Sequence, residues 1–291
     1  MNTQTISIDP ETFLKTEYML PPLPAVVFEI KTMIEEDRAD MAEISTLVGS
    51  DPGLVVQVLK IVNSAYYALP RPVTDLKYAV AFLGLAEIYR IVLTLSVVAT
   101  LEINEESALE QFWRDAYFTA LTGKFLVKRM EPGLKAEELW SSTLLHDVGR
   151  LLYVKFFPVE FEQVASYCRD NGCMVEEAEQ VLGFPSRASF GSLLAEHWEL
   201  PEQIVKSCSS HDETSLKALD PSSPEDAFQR MVCLGYLTSR LSEGQLDAEH
   251  AEALTASVID FIRWDRPQFD ELITAVSELR EEVNAFVSRL T

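Results

Sequence analysis

From Pro24 to Leu290 the apolar residues recur at helical spacing almost without interruption, and no stretch alternates apolar and polar positions for long enough to compete as a strand. This pattern confines the chain to an all-α fold, and start and stop signals divide it. Asp9-Pro10-Glu11 predicts a short leading helix, ended by Leu20-Pro21-Pro22-Leu23-Pro24. Val26, Val27, Ile30, Met33 and Ile34 form the next apolar stripe. Asp40 with Glu43 opens a helix through Val48, and Asp51-Pro52 opens another that runs into Asn63-Ser64-Ala65-Tyr66-Tyr67. Thr74 is placed to cap the helix after that. Gly84 interrupts the richest apolar stretch, 79–101, so two helices or one kinked helix fit there. Glu87 and Arg90 within it favour a buried helix over a membrane span.

Phe112-Trp113 begins a helix that continues through Val127, and the spacing predicts further helices from Ser141 to an end at Phe157-Pro158 and over 161–169, 176–182 and 190–198. Another starts at Pro201 and ends near His211-Asp212. Lys217 to Glu225, with Pro221 and Pro224, reads as a linker, and three amphipathic helices follow between Ala227 and Leu290. A chain of 291 residues with 47% hydrophobic residues can bury a sizeable core. Its 24 Lys and Arg against 46 Asp and Glu, a formal charge of −22, oppose binding to phosphate backbones and anionic membrane surfaces. Neither nucleic acid nor a membrane is an expected partner. Cys168, Cys173, Cys208 and Cys233 show no C-x-x-C spacing, so neither a zinc knuckle nor a disulfide framework is indicated. With no basic and then apolar run among the first residues, a cytoplasmic location with reduced thiols is expected.

The chemistry centres on Leu144-Leu145-His146-Asp147-Val148-Gly149-Arg150-Leu151-Leu152, which sets a His-Asp pair in an apolar helical run. Leu144, Leu145, Val148, Leu151 and Leu152 share one helix face, and the pair lies beside it. Such an imidazole and carboxylate can converge on an ion in a groove between helices, or be buried and satisfied by their neighbours. His197 reads as a packed or surface residue, and His250, among acidic neighbours, as solvated. His211 falls at a helix C-terminus, where the dipole favours a partly charged imidazole. Ser141 and Ser192 lack a nucleophile-elbow context, no glycine-rich phosphate loop occurs, and the aromatic residues read as core.

Several stretches in this order carry a resemblance: Leu23-Pro24; Asp51-Pro52-Gly53-Leu54 through Val62-Asn63-Ser64-Ala65; Ala79-Val80-Ala81-Phe82-Leu83-Gly84; Phe112-Trp113 followed by Leu145-His146-Asp147-Val148-Gly149-Arg150-Leu151; and Trp198-Glu199-Leu200-Pro201. Together they resemble the HDOD domain, an output module related to the HD phosphohydrolases. The resemblance implies an HD-like multi-helix bundle over residues 20–215, with an N-terminal helical segment at 1–19 and a C-terminal helical extension, 216–291, packed on the core. HD enzymes hold a divalent metal through a first His, the His-Asp dyad and a later Asp, and use it to activate water against a phosphate ester. Here the dyad is His146-Asp147, Asp115 stands at the first His, and Tyr236 or Gly235 stands at the later Asp. His211 matches the first of a His pair common in relatives, Asp212 replaces the second, and Ser186 and Arg187 lie where many relatives carry another His.

The resemblance therefore implies a non-enzymatic signalling or regulatory module of bacterial two-component or cyclic-nucleotide pathways, with no cofactor and a protein as its partner. No receiver or cyclase pattern is present, so input is expected from another protein or a fused partner. The alternative is a metal-dependent phosphohydrolase in which Asp115, His146, Asp147 and His211 hold Mn, Fe, Mg or Zn. A pocket that binds a small nucleotide without hydrolysing it is a third reading, and Arg150 or Arg187 could supply its local positive charge.

Overall fold

The structure is a computed structural model that describes residues 20–36, 38 and 40–290. The helix expected at Asp9-Pro10-Glu11 lies outside them. The described residues form helices, turns and loops with no strand, in keeping with the all-α pattern. Contacts divide the chain into two compact units, Pro21–Asn104 with Glu281 onward, and Glu105–Arg280.

The first unit contains α1 (Ala25–Glu35), α2 (Met41–Gly49), α3 (Pro52–Val62), α4 (Leu76–Leu83) and α5 (Leu85–Thr100). Asp40, Asp51 and Asp75 cap α2, α3 and α4, each accepting from backbone N–H groups of the first turn. The cap of α4 is Asp75 rather than Thr74, because Asp75 is the extended residue directly before the helix and its carboxylate reaches Lys77 N and Tyr78 N. Asn63 braces the loop after α3. Its amide donates to the carbonyls of Leu59 (2.8 Å) and Val73 (2.7 Å), and its side-chain oxygen accepts from Val73 N (2.7 Å). At Gly84, with φ +84°, the chain turns by 118° between α4 and α5, so the apolar stretch is two helices. α1, α3 and α4 pack on α5. Among the described residues no single helix is long and apolar enough to cross a membrane, and only bent pairs, α2 with α3 and α4 with α5, reach that length and composition.

The second unit contains α6 (Glu106–Met130), a 3₁₀ turn (Ala136–Leu139), α7 (Trp140–Leu145), α8 (Gly149–Phe156), α9 (Pro158–Asn171), α10 (Val175–Leu182), α11 (Arg187–His197) and α12 (Glu202–Ser209). It continues with α13 (Glu213–Ala218), α14 (Ala227–Glu243), α15 (Ala248–Ile262) and α16 (Arg266–Glu278), and α17 (Arg280–Leu290) returns from Glu281 to the first unit. There Lys60 Nζ donates to the carbonyl of Leu290. Four helices, not three, follow Ala227. The additional break is at Arg263, in the left-handed conformation, followed by a capping box of Asp265 and Gln268. The expected linker is shorter and fastened: α13 runs to Ala218, and buried Arg230 donates to the carbonyls of Asp220 and Ser223.

The helix opened by Phe112-Trp113 begins earlier, at Glu106, and forms with α14 the spine of this unit. The two helices cross in backbone contact. A Cβ on Gly235 would lie 3.1 Å from the carbonyl oxygen of Thr119 and 3.2 Å from Gly123 Cα. The Trp198-Glu199-Leu200-Pro201 stretch is a helix stop: Glu199 takes φ +50°, Leu200 N donates back to the Ala195 carbonyl, and Trp198 and Leu200 are buried. A second backbone approach sets the site. A Cβ on Gly149 would lie 1.9 Å from the Arg187 carbonyl oxygen and 2.7 Å from Gly191 N, so only glycine lets α8 meet the start of α11. Gly149→Ala is therefore expected to destabilise the protein by about 3 kcal/mol or to prevent folding, since backbone atoms must move. Gly133→Ala, where a Cβ meets nothing within 4 Å, should leave the melting temperature nearly unchanged. Equal thermal stability of the two variants in circular dichroism melts would contradict this packing.

Candidate functional site

The run expected as one helix from Ser141 to Phe157-Pro158 is broken at the His-Asp pair. α7 ends at Leu145, α8 begins at Gly149, and His146, Asp147 and Val148 form a turn between them. Val148 N, Arg150 N and Leu151 N donate three residues back, to Leu145, Asp147 and Val148. The Leu145 carbonyl, which a continuous helix would offer to Gly149 N–H, also receives the buried Cys208 thiol at 3.2 Å. The break presents the two side chains of the pair at helix ends rather than along a helix face.

His146 and His211 are both buried, at 2% and 4% exposure, so His211 is a core residue rather than an open helix terminus. Each ring places Nδ1 on a carbonyl oxygen, His146 on Thr143 (2.7 Å) and His211 on Ser207 (3.0 Å). With Nδ1–H donating, the Nε2 lone pair of each ring is left as an acceptor. The rings stand edge to face with centroids 4.8 Å apart, and the Tyr236 ring packs on both, 5.2 Å from His146 and 4.9 Å from His211. The Tyr236 hydroxyl donates to Glu176 at 2.9 Å. Burial, reinforced by the neighbouring His211, lowers the His146 pKa to about 3, so the ring is neutral at physiological pH.

Around this aromatic trio lies a network of buried charge. Arg187 Nη1 sits 3.1 Å from Asp147 Oδ2, and its Nε sits 3.3 Å from Glu179 Oε1. Both Glu179 oxygens also accept from the backbone N of Arg187 at 3.2 Å. Burial pushes Glu179 up to about 8 against the pull of Arg187. Asp115 accepts from Gln111 Nε2 and from Arg150 Nη1, both at 2.7 Å, with Arg240 Nη1 3.7 Å away. Burial alone would raise the Asp115 carboxyl, but Arg240 and Arg150 outweigh it and hold it below the usual carboxylate range. These groups line one cavity of about 490 Å³ in the second unit.

Of the four candidate ligands, the structure brings His146 and His211 together, but it commits Asp147 to Arg187 and Asp115 to Arg150 and Arg240. Among the described residues no group of three or more His, Cys, Asp or Glu side chains is arranged to hold a metal ion. Guanidinium groups already neutralise the carboxylates that a divalent cation would need, and Tyr236 packs on both imidazoles. The residues present do not fit a divalent centre. His197 is exposed, and His250 is half-buried between Asp247 and Glu177. The four cysteines are free. Sequence reasoning missed Glu179, Glu176 and Arg240. The three-residue spacing of Glu176 and Glu179 on α10 was the one available signal, and exposed helix faces carry the same spacing.

The titration of His146 has a defined sign. The unfolded chain takes up a proton near pH 6.5 and the folded protein only near pH 3, so the contribution of this ring to stability is intact above pH 6.5 and lost as pH falls toward 3. Glu179 acts oppositely. Its raised pKa gives stability that is present at low pH and lost as pH rises through about 8. The two trends overlap, so the difference between wild type and His146→Gln isolates the imidazole. That difference should shift by about 2 kcal/mol against the wild type between pH 7 and pH 5. A difference independent of pH in urea titrations would refute the buried neutral state.

The family model of the HDOD domain matches residues 20–214. Among solved structures, an HDOD domain protein from Geobacter sulfurreducens is 21% identical with a TM-score of 0.70, over 97% of each chain. A Shewanella amazonensis SB2B protein whose name proposes a phosphohydrolase is 24% identical with a TM-score of 0.69, over 94% of this chain and 95% of that one. A Marinobacter aquaeolei VT8 protein whose name proposes a signal transduction role is 22% identical with a TM-score of 0.67, over 93% of this chain and 60% of that one. An uncharacterised protein of Treponema pallidum (strain Nichols) is 23% identical over 268 residues, 91% of this chain and 50% of the relative, so this chain spans about half the length of that curated relative. At these identities the solved structures establish the shared fold. With the family model covering most of its length, the chain belongs to the HDOD domain family.

Proposed function

We propose that this chain is a non-enzymatic signalling module of the HDOD type that acts through contact with a partner protein in the cytoplasm. The observation that carries the reading is the pairing of Asp115 and Asp147 with guanidinium groups in the groove where the His-Asp pair lies. A cation held covalently in the protein supplies the charge complement there, and the carboxylates have no ionic demand left for a divalent ion. In the first unit Phe28, Met41, Val56, Tyr78 and Phe82 are large, apolar and exposed, and the rings of Tyr78 and Phe82 stack at 6.2 Å.

One feature favours a second reading, a metal-dependent phosphohydrolase: the two imidazole rings lie 4.8 Å apart, each with Nδ1 on a carbonyl and Nε2 left as an acceptor, the tautomer that metal ligands use. The same experiment separates the readings. Protein purified without chelator is analysed for Mn, Fe, Zn and Mg and assayed on bis-p-nitrophenyl phosphate with each metal added. The signalling reading expects far less than one metal per chain and no hydrolysis, with His146→Ala lowering stability by about 1–3 kcal/mol. Stoichiometric metal, lost together with hydrolysis in His146→Ala and Asp115→Ala, would replace this reading with the second.

A further inference from the structure

Two of the four free cysteines stand together at one helix stop. Cys168 is on the last turn of α9, Cys173 lies just past its end, and Gly172 between them takes the left-handed conformation at φ +57°. Gly172 N donates to the Cys168 carbonyl at 2.8 Å, so the chain folds back over the helix end and returns Cys173 to Cys168. The start of α15 clamps this turn from outside. A Cβ on Gly172 would lie 2.6 Å from Asp247 N, which donates to the Gly172 carbonyl at 2.9 Å. Both cysteines pack in one apolar cluster with Val164, Val175, Ala178 and Phe184, and the Cys173 thiol donates to the Cys168 sulfur.

A helix stop of this kind usually closes on an ordinary apolar contact, and a thiol can supply one. Two observations set this pair apart. Both cysteines line the cavity of about 490 Å³, Cys168 half-buried and Cys173 at 5% exposure, so a small solute in the cavity meets the pair. Cys208 and Cys233, by contrast, are fully buried, and their thiols donate to the carbonyls of Leu145 and Ser210. The pair is also unequal. Burial raises both thiols, Cys173 to about 12, while Arg187 and the hydrogen bond from Cys173 pull Cys168 back down. The more open thiol, beside a guanidinium, is the one suited to attack.

We propose that Cys168 and Cys173 form a redox site, in which hydrogen peroxide converts the thiol pair into an intramolecular disulfide across the helix stop. The Cys168 thiolate attacks one peroxide oxygen, the O–O bond breaks, and hydroxide leaves with the thiol's former proton as water, giving a sulfenic acid. Cys173 sulfur then attacks the Cys168 sulfur, the S–O bond breaks, and the departing hydroxide takes the Cys173 proton as a second water. Two thiols and one peroxide thus give one disulfide and two waters, with two electrons passing from sulfur to peroxide. The link ties the end of α9 to the residues leading into α10, which carries Glu176 and Glu179, so the oxidation state acts on one wall of the cavity.

The test exposes the folded full chain to hydrogen peroxide, blocks the remaining thiols with iodoacetamide, and maps peptides without reduction. A link from Cys168 to Cys173 within one chain is expected, reversed by dithiothreitol, with Cys208 and Cys233 oxidised at least roughly tenfold more slowly. In Cys173→Ser, dimedone should label Cys168 as its sulfenic acid, and in Cys168→Ser the oxidation of Cys173 should slow by roughly tenfold. Folded protein that keeps both thiols under excess peroxide would overturn the proposal. So would a link between chains, equal oxidation of Cys208, or a Cys173 that oxidises as fast without Cys168. Mapping of the wild type decides the matter if either variant does not fold. Amide exchange over 172–179 should slow in the oxidised chain, and unchanged exchange would overturn the action on the cavity wall.

Discussion

The ion pair of Arg187 with Asp147, closed by Glu179, is the interaction on which the groove depends. Two charges drawn this far out of water are stabilised together by close geometry and by hydrogen bonds to their other polar atoms. Arg187 meets that requirement twice over, binding Glu179 through both its side chain and its own backbone N–H. The backbone supplies the rest, because Gly149 brings the start of α8 against the Arg187 carbonyl and so sets the distance from Asp147 to α11. Removing either partner would leave a buried charge without its complement, a loss on the order of 3–5 kcal/mol.

The same pairing determines the chemistry available to the His-Asp dyad. A carboxylate can serve a guanidinium or a divalent cation, and in this groove Asp115 and Asp147 both serve guanidinium groups. The His146 imidazole is neutral, and both rings are oriented by carbonyls that accept at Nδ1. Tyr236 completes the packing with a ring against both and with its hydroxyl carried outward to Glu176. Burial holds that phenol well above its ordinary pKa, so it packs as a neutral aromatic group.

Much of this was legible in order along the chain. Asp51-Pro52, Asn171-Gly172 and Trp198-Glu199-Leu200-Pro201 are local devices whose conformations follow from a few neighbouring residues, and the structure uses each of them as a helix start or stop. Less legible were features settled by competition. Thr74 and Asp75 are both competent caps, and the residue adjoining the helix holds the position. The run through His146 has unbroken helical periodicity, yet it turns at 146–148 through three-residue hydrogen bonds, where the Leu145 carbonyl also receives the thiol of Cys208, distant in sequence.

The sequence by itself determined an all-α chain of the HDOD family, with its helix starts, its acidic surface and its His-Asp pair, because periodicity, capping and motif order are properties of neighbouring residues. Only the tertiary structure decided what the pair's surroundings became. Asp115 finds Arg150 and Arg240, and Asp147 finds Arg187, across helices that no local pattern relates. Electrostatic neutralisation in a buried groove depends on distance in space and on exclusion of water, and helix packing set both through glycine contacts at Gly149 and Gly235.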